Sequence, residues 1–310
     1  MNALPTVDFR RYESDFDGFA QAMGASYLRC GFAVVSHHGL PQALVDGTLA
    51  GFQQFFARDA AAKRQWHVPG QGGARGYTPF GIEAAKGAAL RDLKEFWHVG
   101  RELPAGHPYR QFMPDNLWVA DIDGMREHTY GLFEAFDALG SKLLRAISAF
   151  LGLPHDFFAD KVQLGNSVLR VLHYPPVAAG SVGERAGAHE DINVITLLLG
   201  AEEAGLQVKD VDGQWLDIQP PRNCVVVNIG DMLQRLTNHR LPSTSHRVIN
   251  PTPERASQAR WSLPYFLHFN PDFLIRTLPS CVDATHPDRY PQPITANDYL
   301  LERLRDIKLL

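Results

Sequence analysis

The amino-acid sequence predicts a mainly β fold with flanking helices, in which the helices lead into a sandwich or barrel of short strands. Three observations predict it. Ahead of about residue 165, apolar residues recur at helical spacing of three and four. From residue 167 onward, short runs rich in β-branched and aromatic residues succeed one another: SVLRVLHY, INVITLLL, GLQVKDV, QWLDI, CVVVNIG, STSHRVI and RWSLPYFLHF. No polar linker divides the two textures, so the halves are expected to pack as one unit.

In chain order, Ser14 reads as an N-cap with Asp17 three places on, and Phe16, Phe19, Ala20, Met23 and Tyr27 form one helical face that Gly31 ends. FAVVSHHG is a short strand. A second amphipathic helix follows Pro41, carrying Leu44, Thr48, Phe52, Phe55 and Phe56. Residues 69–92, rich in glycine and alanine, are expected to be a long loop of the kind that forms lids and binding loops. The longest helical signal runs from about Asp121 to Leu151 on Leu132, Phe136, Leu139, Leu143, Ile147 and Phe150, with Gly152 as the stop. In the β-rich part, DVDGQW holds the Asp-Gly turn of a tight hairpin. A last helix opens at Thr295, which can cap it, with Leu300, Leu301, Leu304 and Ile307 as its apolar stripe.

With 310 residues the chain can bury a substantial core without disulfides or a structural metal. A formal charge of -4 and the lack of a basic run give no support for nucleic-acid binding. Cys30, Cys224 and Cys281 are odd in number and far apart, which argues against a disulfide framework and against a cysteine zinc site. The N-terminus lacks the basic and apolar regions of a signal peptide. No apolar run approaches the ~18 residues of a membrane span. A cytoplasmic protein that does not enter a membrane is the expectation; oligomeric state is not legible.

Chemistry concentrates in GAHEDINVITLLLG, residues 187–200. In an extended strand, side chains two apart share a face, so His189 and Asp191 point one way and Glu190 the other, with Ile192 and Val194. Imidazole nitrogen and carboxylate oxygen suit a first-row divalent metal, but two ligands make a weak site. His239 and His246 are the candidates for a third. His239 stands in a polar turn-like segment, whereas His246 lies in a β-like run that positions a ligand better. Two histidines and a carboxylate on one face leave positions open, the arrangement of non-haem Fe(II) oxygenases. Arg247, of opposite parity to His246, points away. In ARWSLPYF, Arg260 and Ser262 share a strand face, where a guanidinium fork and a hydroxyl can anchor a dicarboxylic acid reaching toward the metal. Tyr174, in VLHYPP, offers a further hydroxyl. Singly, each of these residues is more often a core or surface group; jointly they form a metal-site pattern.

Together these residues resemble the Fe(II)/2-oxoglutarate-dependent dioxygenase superfamily, in its isopenicillin N synthase-like branch and as a bacterial-type member. The matching pieces are H-x-D at His189 and Asp191, the distal His246 in STSHRV, and R-x-S at Arg260 and Ser262. PTVDF, CGFAVVSHHGLP, RGYTPFG, GLQVKDVDGQW and VVNIGDMLQRLTN extend the resemblance over nearly the whole chain. It implies a double-stranded β-helix (jelly-roll) core braced by N-terminal and long central α-helices. The expected organisation is a single oxygenase domain over 1–310: 1–165 mostly helical, 166–275 the jelly-roll catalytic core, and 276–310 a C-terminal extension and helix. It also implies Fe(II) held by His189, Asp191 and His246, and 2-oxoglutarate held by Arg260 and Ser262. Tyr174 matches the tyrosine of the N-x-Y element that helps hold the co-substrate, and Leu172 stands where many plant members have asparagine. The implied activity uses O2 and 2-oxoglutarate to oxidise a small molecule by hydrogen-atom abstraction, releasing succinate and carbon dioxide.

Arg75, Tyr77 and Phe266 are the candidates for lining the substrate pocket. In ALRDLKEFWHVGRE, Phe96 and Trp97 are expected in the core, and Arg91, Asp92, Lys94 and Glu95 on a solvated surface. Asn228 is expected to satisfy backbone groups, and His37 and His38 to be structural. Three other activities compete: an Fe(II)/O2 oxidase of the same fold that does not use 2-oxoglutarate, a non-catalytic metal- or ligand-binding protein, and a zinc hydrolase. The last lacks a general base beside the metal.

Overall fold

The computed structural model describes residues 4–82, 92–176, 185–199, 205–210, 212–251 and 256–306. Among these, strand β1 (Thr6–Asp8), the single turn α1 (Arg11–Ser14) and helix α2 (Phe16–Cys30) are followed by β2 (Phe32–Ser36), α3 (Gln42–Phe56) and the short α4 (Ala60–Arg64). Strands β3 (Gly76–Thr78) and β4 (Glu95–Gly100) precede the long helix α5 (Met125–Phe150) and α6 (Ala159–Val162). Then come β5 (Val168–Tyr174), β6 (Ala186–His189), β7 (Ile195–Leu199), β8 (Leu206–Lys209), β9 (Trp215–Asp217) and β10 (Cys224–Ile229). After α7 (Asp231–Leu236) the chain adds β11 (His246–Val248), β12 (Arg260–Leu267), β13 (Leu274–Ile275), β14 (Ile294–Thr295) and α8 (Ala296–Asp306).

The strands form a jelly roll. A major sheet runs β1-β2-β10-β7-β12-β5-β4-β3, and a minor sheet runs β6-β11-β8-β9. All neighbours are antiparallel except β1 and β2. Alternation along β12 assigns its two faces. Leu263, Tyr265 and Leu267 join the core that includes α5, where Tyr265 stacks on Phe136 at 5.5 Å. Gly140 of α5 lets the helix approach, since a Cβ there would lie 2.5 Å from Leu267 Cδ1. Arg260, Ser262 and Phe266 occupy the other face, inside the roll. Near β2 and β10 the two sheets close through Phe32, Val226, Leu206 and Val208, all buried. Helices α2 and α3 pack along α5 with the predicted apolar stripes; Phe19, Met23, Tyr27, Phe52 and Phe55 are buried.

Local chemistry departs from expectation at three places. The cap of α2 is Asp15 rather than Ser14: the chain breaks at Asp15 (φ -158°) and its carboxylate accepts from Gly18 N at 3.1 Å. Ser14 instead ends α1 and donates to Arg10 O. The segment expected as an uninterrupted loop over 69–92 contains β3, paired with β4 through Gly76↔His98 and Thr78↔Phe96; residues 83–91 of it, Arg91 included, lie outside the described residues. Asp92, Lys94 and Glu95, expected on a solvated surface, are buried. They are paired there: Lys94 Nζ with Asp92 at 2.8 Å, and Glu95 with Lys63 (2.8 Å), His173 (2.8 Å) and the Tyr77 hydroxyl (2.5 Å). The predicted stop at Gly31 is present, left-handed at φ 72° with its N–H on Tyr27 O. So is the cap of α8, where Thr295 Oγ1 accepts from Asp298 N at 3.1 Å; Ile307 lies outside the described residues.

Candidate metal centre and adjoining cavity

His189 ends β6 and His246 begins β11, and these two residues are register partners across the minor sheet. Their rings lie 4.4 Å apart. Asp191 is not on the strand, as simple alternation had it. β6 stops at His189, and residues 190–194 turn before β7 begins. The turn is fastened to the start of α7, with Asp231 N on Asp191 O at 2.7 Å and Met232 N on Asn193 O at 3.1 Å. Gly230 permits this contact, since a Cβ there would sit 2.1 Å from Asn193 O. His189 and Asp191 nevertheless converge, because one turn replaces two strand steps.

The resulting donor set is compact. His189 Nε2 lies 3.8 Å from Asp191 Oδ1, and His246 Nε2 lies 3.8 Å from Oδ2. One ligand atom from each residue falls within 4.8 Å of the other two. Metal–ligand bonds of roughly 2.0–2.2 Å place adjacent donors about 3 Å apart, so the triad needs only a small contraction to close on a first-row cation. Each imidazole is set to coordinate through Nε2. Nδ1 of His189 donates to Gly187 O at 2.7 Å and Nδ1 of His246 to Thr244 O at 3.1 Å, which leaves each Nε2 with a lone pair. Burial, and then the neighbouring His246, push the His189 pKa down to about 4, so the ring is neutral at neutral pH. Burial works to raise the Asp191 pKa, but His246, His189 and hydrogen bonds from Asn228 and Thr196 outweigh it and hold the carboxyl below its usual range.

Those two hydrogen bonds converge on Asp191 Oδ2, from Thr196 Oγ1 at 2.6 Å and from Asn228 Nδ2 at 2.8 Å. Asn228 was expected to satisfy backbone groups; it orients a carboxylate instead. Thr196 in turn accepts from Asn193 Nδ2 at 2.9 Å. Among the other candidates, Glu190 and Ile192 do not follow parity, since they line the same cavity as His189 and Asp191, whereas Arg247 does. Arg247 faces away, over Trp215 at 4.2 Å. His239 pairs with the Tyr290 hydroxyl at 2.5 Å.

A cavity of about 390 Å³ opens beside the triad, with His189 and Asp191 in its wall. Arg75 and Phe266 line it, as do His98, Asn166, Arg170 and His268. Leu300 and Leu304 of α8, two of the four residues of the stripe predicted for that helix, also reach it. Tyr77 is not among the lining residues; its ring is buried and its hydroxyl is given to Glu95. Arg170 stacks between Phe96 (4.0 Å) and Phe266 (5.2 Å) and donates to His98 Nε2 at 2.6 Å. His268 donates from Nδ1 to Phe266 O at 3.1 Å, and burial lowers its pKa to about 4. The sequence marked neither Arg170 nor His268, although each lies an even number of residues from Tyr174 or Phe266, and alternation alone places them on the inner face.

Arg260, Ser262 and Tyr174 are brought together on that inner face but outside the cavity wall. Arg260 pairs in register with Tyr174 and Ser262 with Leu172. All three candidates are buried, and the Arg260 guanidinium lies 5.0 Å from the Tyr174 ring centre. A second buried arginine, Arg185, has its guanidinium 5.8 Å from the centre of the same tyrosine ring. It went unmarked in the sequence, although it precedes His189 by an even step. Two buried guanidinium groups around one tyrosine suit a dianionic ligand.

The family model of the 2OG-Fe(II) oxygenase superfamily matches residues 165–269, and that of the non-haem dioxygenase in morphine synthesis N-terminal region matches residues 4–121. An Emericella nidulans 2-oxoglutarate-Fe(II) type oxidoreductase, hxnY, is 33% identical, over 96% of this chain and 88% of that protein. A Caulobacter crescentus protein assigned to the 2OG-Fe(II) oxygenase family superposes with a TM-score of 0.93 at 53% identity, covering 99% of this chain and 100% of that one. A Neurospora crassa protein crystallised in complex with alpha-KG superposes with a TM-score of 0.86 at 29% identity, covering 97% and 96%.

Proposed function

Because the chain belongs to the 2OG-Fe(II) oxygenase superfamily, we propose that its non-haem Fe(II), 2-oxoglutarate-dependent oxidation of a small molecule is carried by the residues gathered above. His189, Asp191 and His246 hold Fe(II). Arg260 and Ser262 grip the distal carboxylate of 2-oxoglutarate beside Tyr174. Arg75 and Phe266 contact the substrate. The observation that carries this assignment is the convergence of two Nε2 lone pairs and one ionised carboxylate within 4.8 Å at a cavity wall.

When bound, Fe(II) would supply the redox centre at which one atom of O2 enters succinate as 2-oxoglutarate loses carbon dioxide, and the other atom takes up the two electrons removed from the substrate. The protein's part is positioning. Oδ2 of Asp191 already accepts two hydrogen bonds, which leaves Oδ1 to coordinate and favours single-oxygen ligation. Three protein ligands leave positions open for co-substrate and oxygen. The guanidinium and hydroxyl on β12 fix one end of 2-oxoglutarate, and Leu300, Leu304 and Phe266 keep water from the reacting carbon.

A single oxygenase unit is also proposed, supported by one core cluster that takes in side chains from Val7 to Ala296. A cytoplasmic location is supported by three free, buried cysteines. No described helix is long and apolar enough to cross a membrane.

The test is anaerobic addition of Fe(II) and 2-oxoglutarate, read by the weak visible charge-transfer band, followed by succinate release under oxygen. Wild type should form the band and release succinate, and His189→Ala should do neither. Arg260→Met should demand far more 2-oxoglutarate for the same band. Equal succinate from wild type and His189→Ala would overturn the ligand assignment.

A further inference from the structure

The cavity wall contains a cation, Arg75, whose Nε and Nη2 lie against Gly100 without a hydrogen-bond partner among the described residues. Arg75 is 3% exposed and lines the cavity. Its Nη1 donates to Ala74 O at 2.6 Å, whereas Nε and Nη2 are buried with no hydrogen-bond partner among the described residues. Nε and Nη2 form the side of the guanidinium that takes a carboxylate through two parallel bonds. Elsewhere in this chain the same edge grips acids, Arg11 on Asp15 and Arg10 on Asp8. The opposite charge acting on Arg75, Asp115, is itself exposed and bound to Arg110 at 2.5 Å. Burial lowers the Arg75 pKa only to about 10, so the group stays charged at neutral pH. Leaving such donors buried and unmet is costly, and a ligand that meets them recovers that cost.

Strand register fixes where this edge stands. Asn228, Thr196, Phe266, Val168 and Gly100 are successive partners across β10, β7, β12, β5 and β4. The first two hold Asp191, the next two are on the cavity floor, and the last carries Arg75: a Cβ on Gly100 would lie 2.0 Å from the Arg75 guanidinium carbon. The row therefore runs from the metal ligand to the guanidinium over three strand spacings, roughly 14 Å. Arg260, in contrast, is six residues from Phe266 along β12, about 20 Å at strand rise. A five-carbon diacid spans only about 5 Å between its ends, so a 2-oxoglutarate held at Arg260 leaves Arg75 unmet.

We propose that the substrate is a small carboxylic acid, its carboxylate gripped side-on by Arg75 and its apolar body lying over Val168 and Phe266, with the carbon to be oxidised at the metal end of the row. This deepens the function proposed above and rests on it. His268 lies within electrostatic reach of both Asp191 and Arg75. With Nδ1 committed to Phe266 O, its Nε2 can accept a hydrogen bond from a substrate hydroxyl or N–H along the way.

The experiment is anaerobic calorimetry on the protein saturated with Fe(II) and 2-oxoglutarate. The probes are benzoate, phenylacetate, cinnamate and nicotinate, each compared with its primary amide. At least one acid should bind about tenfold or more tightly than its amide. Arg75→Gln should remove that preference, with 2-oxoglutarate affinity within about twofold of wild type, and Arg75→Lys should keep part of it. Acids that bind no better than their amides in wild type overturn the proposal whatever the variants do. So does an Arg75→Gln protein whose 2-oxoglutarate affinity falls along with the acid preference. Should the charge-transfer band not form, the function proposed above is what fails; acid-against-amide thermal shifts of the metal-free protein then still decide the role of Arg75.

Discussion

Replacing Asn228 by alanine should weaken Fe(II) binding without touching a ligand. Asn228 Nδ2 donates to Asp191 Oδ2 at 2.8 Å, and both residues are buried, so water cannot readily replace the lost donor. A hydrogen bond to an ionised acceptor contributes about 1.5–3 kcal/mol. At about 1.4 kcal/mol per decade, that loss is roughly tenfold to a hundredfold in metal affinity. Thr196 still donates to the same oxygen at 2.6 Å, which favours the lower half of that range. Asn228→Asp should be worse, because it sets a second carboxylate against the first. The assay is anaerobic titration with Fe(II), repeated with Mn(II) followed by electron paramagnetic resonance, alongside circular dichroism to verify the fold. A correctly folded Asn228→Ala protein with wild-type affinity for both metals would refute the idea that this amide tunes the ligand.

Gly230→Ala should lose roughly 1–3 kcal/mol of stability and also bind Fe(II) more weakly, because its Cβ would press on Asn193 O at 2.1 Å in the turn that presents Asp191; urea unfolding and the metal titration read the two effects. Glu95→Ala should cost about 3–5 kcal/mol by stranding Lys63 in a buried site, and Glu95→Gln less, as measured by urea midpoints. For pH, the His268 pKa is about 4 in the fold against 6.5 for a free histidine. Between those values the unfolded chain binds the extra proton, so stability falls as pH drops from about 6.5 toward 4 and is unaffected above. His268→Gln should flatten that slope by up to about 3 kcal/mol in melts at pH 7 and pH 4.5, and equal slopes would count against the buried neutral ring.

Periodicity made most of the framework legible. The stripes of α2, α3 and α5 and the chain of short strands depend on local spacing, which sequence records directly. His246 was separable from His239 because a strand and a turn differ in composition. Asp191 is the instructive case: same-face parity named the right residue through the wrong geometry, since a turn tied to α7 presents it. That tie depends on backbone groups of Asp231 and Met232, which leave no side-chain signature. Asp92, Lys94 and Glu95 were misplaced for a related reason. Three charges within four residues look solvated unless their partners are known, and Lys63 and His173 lie 32 and 78 positions away from Glu95. The hydrogen bond of Asn228 to Asp191 is likewise a long-range pairing, 37 positions apart, whereas Thr196 is only five positions away and reaches Asp191 through the turn that strand alternation does not foresee.

The row from Asn228 to Gly100 has a consequence for how such a protein can be altered. Its two ends are supplied by different parts of the chain: the metal end by β6, β7, β10 and β11, the guanidinium end by the segment ahead of β3 and by β4. Exchanging residues 71–76 together with position 100 would redraw what the cavity accepts while the iron ligands keep their supports. Adding a side chain at Gly100 is the smallest such exchange, because it evicts the guanidinium and shortens the cavity from one end. On the assignment proposed above, acceptance and chemistry are separable, and a new preference need not be won at the expense of the oxidising centre.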